Sequence, residues 1–309
     1  MSIISTSRRI GALALATAFV VGACSGSATP TPAASAAASA AASAGASAGT
    51  GGAVNCVSGS ITASGSTALQ PLVDAAGKAY VKACPNATIQ VQGGGSGTGL
   101  TQVLQGAVQI GNSDVTAESK LQPADAATLV DHQVAVQGWV MVNNPDITGV
   151  TNLTTDQATK IWTGVTTNWK DVGGPDLKIV LVLRPASSGT RSTFKKIVLA
   201  GASEASGQAL TEDSNGAVTK AVEGTPGSTS VIGFAYYQQN KSGLTALQLD
   251  GVDATVANLA NGTYKLQAIG HMYSKGQPDG LAKAFLDYML GPDVQGTLIP
   301  SLFYGPIAK

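Results

Sequence analysis

Short apolar runs along this chain repeatedly end in a cluster of glycine, serine and threonine, and each cluster opens onto apolar residues at helical spacing. Val57 to Ser64 reads as a strand and Gly65-Ser66-Thr67 as a joint. From Ala68, the residues Leu69, Leu72, Val73, Ala76, Tyr80 and Val81 then line a helix that runs to Cys84. Pro71 falls in its first turn, where a missing N–H costs nothing. Thr88 to Gln92 is the next strand, Gly93 to Gly99 the next joint, and Leu100, Val103 and Leu104 mark the next helix. The third case is the fullest. Leu177 to Leu183 reads as a buried strand, Arg184-Pro185-Ala186-Ser187-Ser188-Gly189-Thr190-Arg191 as its joint, and Phe194, Ile197 and Val198 as a helix face.

Between and after these units the pattern is plainer. Val108 to Asp114 is a short strand ending in a polar turn, with a helix expected from Ala117. Val134 to Val142, with Trp139, predicts a strand crossing between lobes. Leu153 begins a helix through Ile161 and Trp162, and Thr167 to Gly174 is a turn. Asn215-Gly216 precedes a helix carrying Val218, Ala221 and Val222, and Ser230 to Tyr237 reads as a strand returning to the first lobe. Leu281 to Leu290 is an amphipathic helix, and Leu298 to Ile307 closes the chain. The alternation predicts an α/β fold.

The first fifth of the sequence lies outside this scheme. Residues 1–23 combine Arg8 and Arg9, an apolar run from Ile10 to Val21, and small residues before a cysteine, which predicts an export signal rather than a spanning helix. Val21-Gly22-Ala23-Cys24 resembles a bacterial lipoprotein signal, which implies a lipid on Cys24; a plain signal peptide with an incidental cysteine is the alternative. Residues 24–54 are almost wholly Ala, Ser, Gly, Thr and Pro and predict a disordered tether. A G-x-S-x-G at Gly45 to Gly49 follows no strand and precedes no helix, so it carries no hydrolase chemistry.

What remains is roughly 255 residues, enough for one large domain or two lobes with cores of their own. Without Arg8 and Arg9, 16 basic residues face 18 acidic ones, a net charge of −2. No basic run or basic–aromatic stripe is present, which argues against a nucleic-acid partner. Cys56 and Cys84 fall at the same end of one strand–helix unit and are expected to pair in an oxidising compartment; their spacing suits neither zinc nor a redox C-x-x-C.

A helix start carries unpaired N–H groups and partial positive charge, so a joint rich in small hydroxyl residues can seat an anion. Ser188, Gly189 and Thr190 offer donors and close backbone approach, and Arg184 adds a forked cation. A helix merely capped by serine or threonine, with Arg184 in an ordinary salt bridge, reads this segment as well. Three such joints without a Walker lysine favour helix starts converging on one small anion, beyond the carboxyl ends of the strands. Asp114 is the odd member. A carboxylate repels an anion unless the anion has a proton to donate, which phosphate near neutral pH has and sulfate lacks, so Asp114 would discriminate between them. The alternatives are that Asp114 caps the next helix or pairs with a cation. A dinucleotide reading, with Asp114 on a ribose, fails because the glycine run is not G-x-G-x-x-G.

Taken in order, Gly65-Ser66-Thr67, Gln92 to Gly99, Ile110 to Asp114, Ile161 to Gly164 with Thr167-Asn168-Trp169, Ser187 to Thr190, and Lys275-Gly276 before Leu281-Ala282 resemble the periplasmic phosphate-binding proteins of bacterial phosphate ABC transporters. The likeness runs from about Ile61 to the C-terminus. It implies a two-lobed periplasmic-binding-protein fold of type II, each lobe a mixed sheet flanked by helices, with residues 55–140 and 234–309 as lobe 1 and 141–233 as lobe 2. It implies ligand contacts at Thr67, Ala68 (through N–H), Ser96, Asp114, Arg184, Ser188, Gly189 and Thr190 in the interlobe cleft, and hinges near Val140 to Asn143 and Ile232 to Phe234. The family often has an acid two positions after the arginine; Ala186 stands there, so another acid, with Asp114 as the candidate, is expected to orient Arg184.

The function implied is capture of inorganic phosphate by a non-enzymatic, monomeric, lipid-anchored receptor outside the cytoplasmic membrane, which delivers it to permease subunits and needs no cofactor. The alternatives are a receptor for another oxyanion of the sulfate or molybdate type, a sensory or structural lipoprotein, and a phosphate-ester hydrolase. The last would need a metal cluster or an activated nucleophile, and His132 and His271 have no partners at metal spacing.

Overall fold

The computed structural model describes residues 54–206, 209–240 and 243–307. The leader, Cys24, nearly all of the 24–54 segment and its G-x-S-x-G lie outside the described residues.

In chain order the main elements are β1 (Gly59–Gly65), α1 (Gln70–Ala83), β2 (Ala87–Gln92), α2 (Ser96–Leu104), β3 (Ile110–Ser113), α3 (Pro123–Ala126) and β4 (Leu129–Asn143). Next come β5 (Asn152–Leu153), α4 (Thr155–Trp162), β6 (Val180–Leu183), α5 (Gly189–Ile197), β7 (Ala209–Thr211), α6 (Asn215–Gly224), β8 (Ser228–Gly233) and α7 (Phe234–Gln239). The chain continues through β9 (Thr245–Ala246), β10 (Gln248–Leu249), α8 (Val256–Ala260), β11 (Gln267–Lys275) and α9 (Gly280–Met289). The main sheet runs β2-β1-β3-β11-β4-β8-β6-β7. β1 is parallel to β2 and β3, β11 runs antiparallel to β3 and β4, and β6 is parallel to β7 and β8.

β4 joins the two halves. Its Leu129–Gly138 stretch pairs with β11, and Trp139–Asn143 pairs with β8. Each half is covered on both faces. In the first, Ile61, Leu72, Tyr80, Met272 and Phe285 fill the layer under α1 and α9, and Leu100, Val103 and Tyr273 fill the layer under α2. In the second, Trp139 and Met141 face α4 and α5 while Val140 and Val142 face α6, the period of two that a doubly covered strand requires. Leu247, Leu249, Leu259, Tyr264 and Leu266 also pack in this second core. No helix among the described residues is long and apolar enough to cross a membrane.

Two expected elements differ. The strand at Ser230 stops at Gly233, and Phe234–Gln239 is helical. An apolar run of that length carries the same signal in either conformation. Ala117 starts a single 3-10 turn to Ser119 rather than a helix. Cys56 and Cys84 are bonded, their Cα atoms 5.3 Å apart, and closing that loop contributes about 3 kcal/mol by restricting the unfolded chain.

Candidate functional site

The joints foreseen after β1, β2 and β6 come together at one place, with the end of β3 among them. The first is built by Ser66. Gly65 leaves β1 at φ 137°, where a Cβ would meet Asn112 O at 2.1 Å, so only glycine lets the chain turn this close to β3. Ser66 Oγ then accepts the N–H groups of Ala68 (3.1 Å) and Leu69 (3.0 Å) and donates its proton to Asp114 Oδ1. The Ala68 N–H, expected at the ligand, is thus turned to Ser66 in this arrangement. Thr67 lies beside it, 7% exposed.

At the second joint α2 begins on Ser96, whose Oγ accepts the Asp114 N–H at 2.9 Å. At the third, Ser188 caps α5 by accepting the Arg191 N–H at 3.2 Å. The N–H groups of Gly189 and Thr190 are then the first of the helix, with no acceptor inside it. The halves touch here. The Gly97 N–H donates to Ser187 O at 2.8 Å, and a Cβ on Gly189 would lie 2.1 Å from Ser96 Oγ and 2.7 Å from Asp114 Oδ2. Gly189→Ala should therefore prop the cleft open and weaken anion binding about tenfold or more, the scale of an overpacked contact, with little loss of melting temperature. Titration and a thermal melt of the variant check both parts.

Asp114 sits at the centre, 2% exposed. Gln137 Nε2 donates to its Oδ1 at 3.0 Å alongside Ser66, and the Thr190 hydroxyl faces its Oδ2 at 3.4 Å. Trp139 Nε1 donates to that same hydroxyl at 3.0 Å, so the Thr190 proton is directed away from the indole. Burial pushes the Asp114 carboxyl above the ordinary carboxylate range, opposed by Ser66, Gln137, the Arg184 charge and Thr190. One carboxylate oxygen is thus occupied by two donors while the other points at the start of α5.

Arg184 is 4% exposed. Among the described residues no carboxylate forms an ion pair with it, where an acid was expected to orient it. Its Nη2 donates to the backbone carbonyl of Asp213 at 2.8 Å and to Thr67 Oγ1 at 3.4 Å, and its Nη1 to Asn215 Oδ1 at 3.4 Å. Two of these bonds are long, and Nε has no hydrogen-bond partner among the described residues. The guanidinium is therefore held in place with donor capacity to spare. Burial pulls its pKa below the ordinary value, against the charges of Asp114 and Asp213.

Four residues here were not singled out from the sequence. Gln137 had a signal, since it interrupts an otherwise apolar strand. Asn215 locks the halves together, Nδ2 donating to Thr67 O at 2.9 Å and Oδ1 accepting the Gly233 N–H at 3.3 Å. Asp213 acts through its carbonyl, which no side-chain pattern reveals. Ser66 was read only as part of its joint. Among the described residues no cluster of three or more His, Cys, Asp or Glu could hold a metal; His132 faces Ser274 Oγ at 3.3 Å, and His271 faces Asp131 at 2.9 Å.

A model of the PBP superfamily domain matches residues 28–293. The phosphate-binding protein PstS of Bacillus subtilis is 51% identical over 250 residues, which is 81% of this chain and 81% of that protein. The chain belongs to the phosphate-binding protein family of the PBP superfamily. Two solved structures resemble it as well. A Clostridium perfringens protein described as a phosphate ABC transporter substrate-binding protein, solved with phosphate bound, matches at a TM-score of 0.73 and 28% identity, over 81% of this chain and 100% of that one. An ABC-type phosphate transport receptor from Vibrio cholerae matches at a TM-score of 0.63 and 29% identity, over 80% of this chain and 100% of its own. The doubly covered halves joined through β4 are thus the two lobes of this family's fold.

Proposed function

We propose that this chain binds inorganic phosphate between its lobes, outside the cytoplasmic membrane, and hands it to the permease of a phosphate ABC transporter. The observation that carries this reading is the state of Asp114: a buried carboxylate with Oδ1 held by Ser66 and Gln137 and Oδ2 turned toward helix-start donors. Such a site asks for an anion that also has a proton to give, which describes phosphate near neutral pH and not sulfate.

In this reading the Thr67 hydroxyl, Ser96 Oγ, the Arg184 guanidinium, Ser188, and the Gly189 and Thr190 N–H groups donate to the phosphate oxygens. Ala68 joins only if its N–H swings away from Ser66. Neither lobe holds the full donor set, so ligand and closure are coupled. Bending takes place where the chain passes between lobes: at Gly138–Trp139 within β4 rather than at the expected Val140 to Asn143, which pair with β8 inside lobe 2, at Gly233–Phe234, and at Leu266–Gln267. By packing, Trp139, Val140 and residues 244–266 go with lobe 2, while the rest of 55–140 and 234–309 forms lobe 1. Cys24 carries a lipid that holds the protein at the membrane surface. The relatives bear the names of binding proteins and transport receptors, and this chain likewise performs no covalent chemistry on its ligand.

Trp139 touches the site through Thr190, so its emission reports occupancy. Titration with phosphate should give a saturable fluorescence change at one equivalent. An unchanged spectrum together with no heat of binding would overturn the reading.

A further inference from the structure

Lys120 stands at the end of the 3-10 turn Ala117–Ser119, a turn held in place by the Tyr273 hydroxyl, which accepts the Ala117 N–H at 3.1 Å. Its half-buried side chain leaves lobe 1 and reaches the anion loop of lobe 2. There the ammonium donates to Ala186 O at 2.7 Å and to Ser192 Oγ at 2.6 Å. Ser192 directs its own proton to Ser188 O at 3.1 Å, which leaves a lone pair for the lysine. The two acceptors bracket the segment that carries Ser188, Gly189 and Thr190. One side chain therefore fastens both ends of the loop whose N–H groups form lobe 2's part of the anion seat.

The charge balance sets Lys120 apart from its neighbour. Arg191 is matched by Glu204, at 2.6 Å from Nε and 2.5 Å from Nη2. Lys120 forms no ion pair among the described residues. Burial and the Arg191 charge pull its pKa below the ordinary lysine value, and Asp114 works against them. A partly desolvated ammonium without a counter-ion costs free energy, and an anion seated beside loop 186–192 offsets that cost.

We propose that Lys120 is a positioning residue that sets how long the ligand stays: an interlobe latch whose two hydrogen bonds hold loop 186–192 over the anion and whose charge, partly offset by Asp114, is balanced further when the anion is bound. It touches the loop, not the ligand, and so acts through Ser188 to Thr190. This inference rests on the phosphate reading for its ligand and on the observed interlobe bonds for its geometry.

Stopped-flow tryptophan fluorescence with phosphate separates association from dissociation. Lys120→Met should raise the dissociation rate about tenfold, the worth of a charge-assisted hydrogen bond, and leave the association rate within about twofold. Lys120→Arg should restore most of the loss, and Ser192→Ala, which keeps the charge and removes one acceptor, should fall between. A Lys120→Met protein that releases phosphate at the parent rate overturns the latch. Should that variant not fold, Ser192→Ala decides: faster release supports the latch and an unchanged rate overturns it. If the parent protein itself binds no phosphate, the functional reading fails separately. The latch is then judged by small-angle scattering without ligand, where a larger radius in Lys120→Met supports it and equal radii overturn it.

Discussion

Replacing Arg184 by methionine should weaken phosphate binding roughly a thousandfold, within the range measured for removing one partner of a buried charged pair. The protein should nevertheless melt within a few degrees of the parent. The two halves of this expectation have the same origin. Among the described residues the guanidinium is buried against one good carbonyl acceptor and two long contacts, with Nε unpartnered, so the protein's own groups compensate its desolvation poorly. An apolar side chain of similar length removes that cost, as buried ion pairs replaced by packed hydrocarbon often show. With phosphate bound, the same spare donors meet a full negative charge in a low dielectric, and their loss is felt entirely there. Arg184→Lys should fall between, because an ammonium cannot reproduce the planar fork that Asp213, Asn215 and Thr67 hold in position. Calorimetric titration beside a thermal melt checks both halves. Binding within tenfold of the parent would remove Arg184 from the site.

Asp114→Asn should collapse the preference for phosphate over sulfate by a factor of about ten thousand, the scale on which a site built for a substrate hydroxyl rejects an analogue lacking it. The direction follows from the two oxygens. Ser66 and Gln137 both donate to the Oδ1 position, so the asparagine carbonyl must stay there. Its amide nitrogen then takes the place of Oδ2 and presents hydrogens where the wild type presents a lone pair. A phosphate P–OH loses its acceptor, while a fully ionised oxygen of sulfate gains a donor.

The same substitution should stabilise the ligand-free protein, and the gain should grow with pH. Burial raises the Asp114 carboxyl above its ordinary value of 3.8, so the folded protein holds that proton more tightly than the unfolded chain. Its contribution to stability is most favourable below that value and is lost as pH rises toward the raised one. Asparagine has no such loss. Melting curves of the two proteins should therefore lie close together in acid and separate toward neutral pH, with the variant higher. The parent carries this cost because the carboxylate serves the ligand.

The joints were legible because a glycine–serine–threonine cluster recurs after three apolar runs, each at a strand's carboxyl end; β6 runs opposite to β1 and β3, so its joint meets theirs from the other half. The residues that hold the site's charges in place were not legible. Arg184 is steadied by a backbone carbonyl and by Asn215, brought from another part of lobe 2, instead of by a carboxylate at a fixed offset in sequence. Lys120 and Ser192 meet only across the cleft, 72 residues apart, and nothing in the spacing of either announces the other. Gln137 was the missed opportunity, a lone amide within an apolar strand whose burial demanded a polar partner. Phe234-Ala235-Tyr236-Tyr237 failed for the opposite reason: an apolar run too short to show either period leaves strand and helix equally open.

The most direct test is a competition titration of the purified protein at neutral pH, with phosphate bound first and sulfate added in large excess. Asp114 facing the anion through Oδ2, which takes only the long Thr190 contact at 3.4 Å, predicts that phosphate stays bound and the tryptophan signal does not move. Displacement by sulfate at comparable concentration would contradict the assignment of that carboxylate as the acceptor of the ligand's proton.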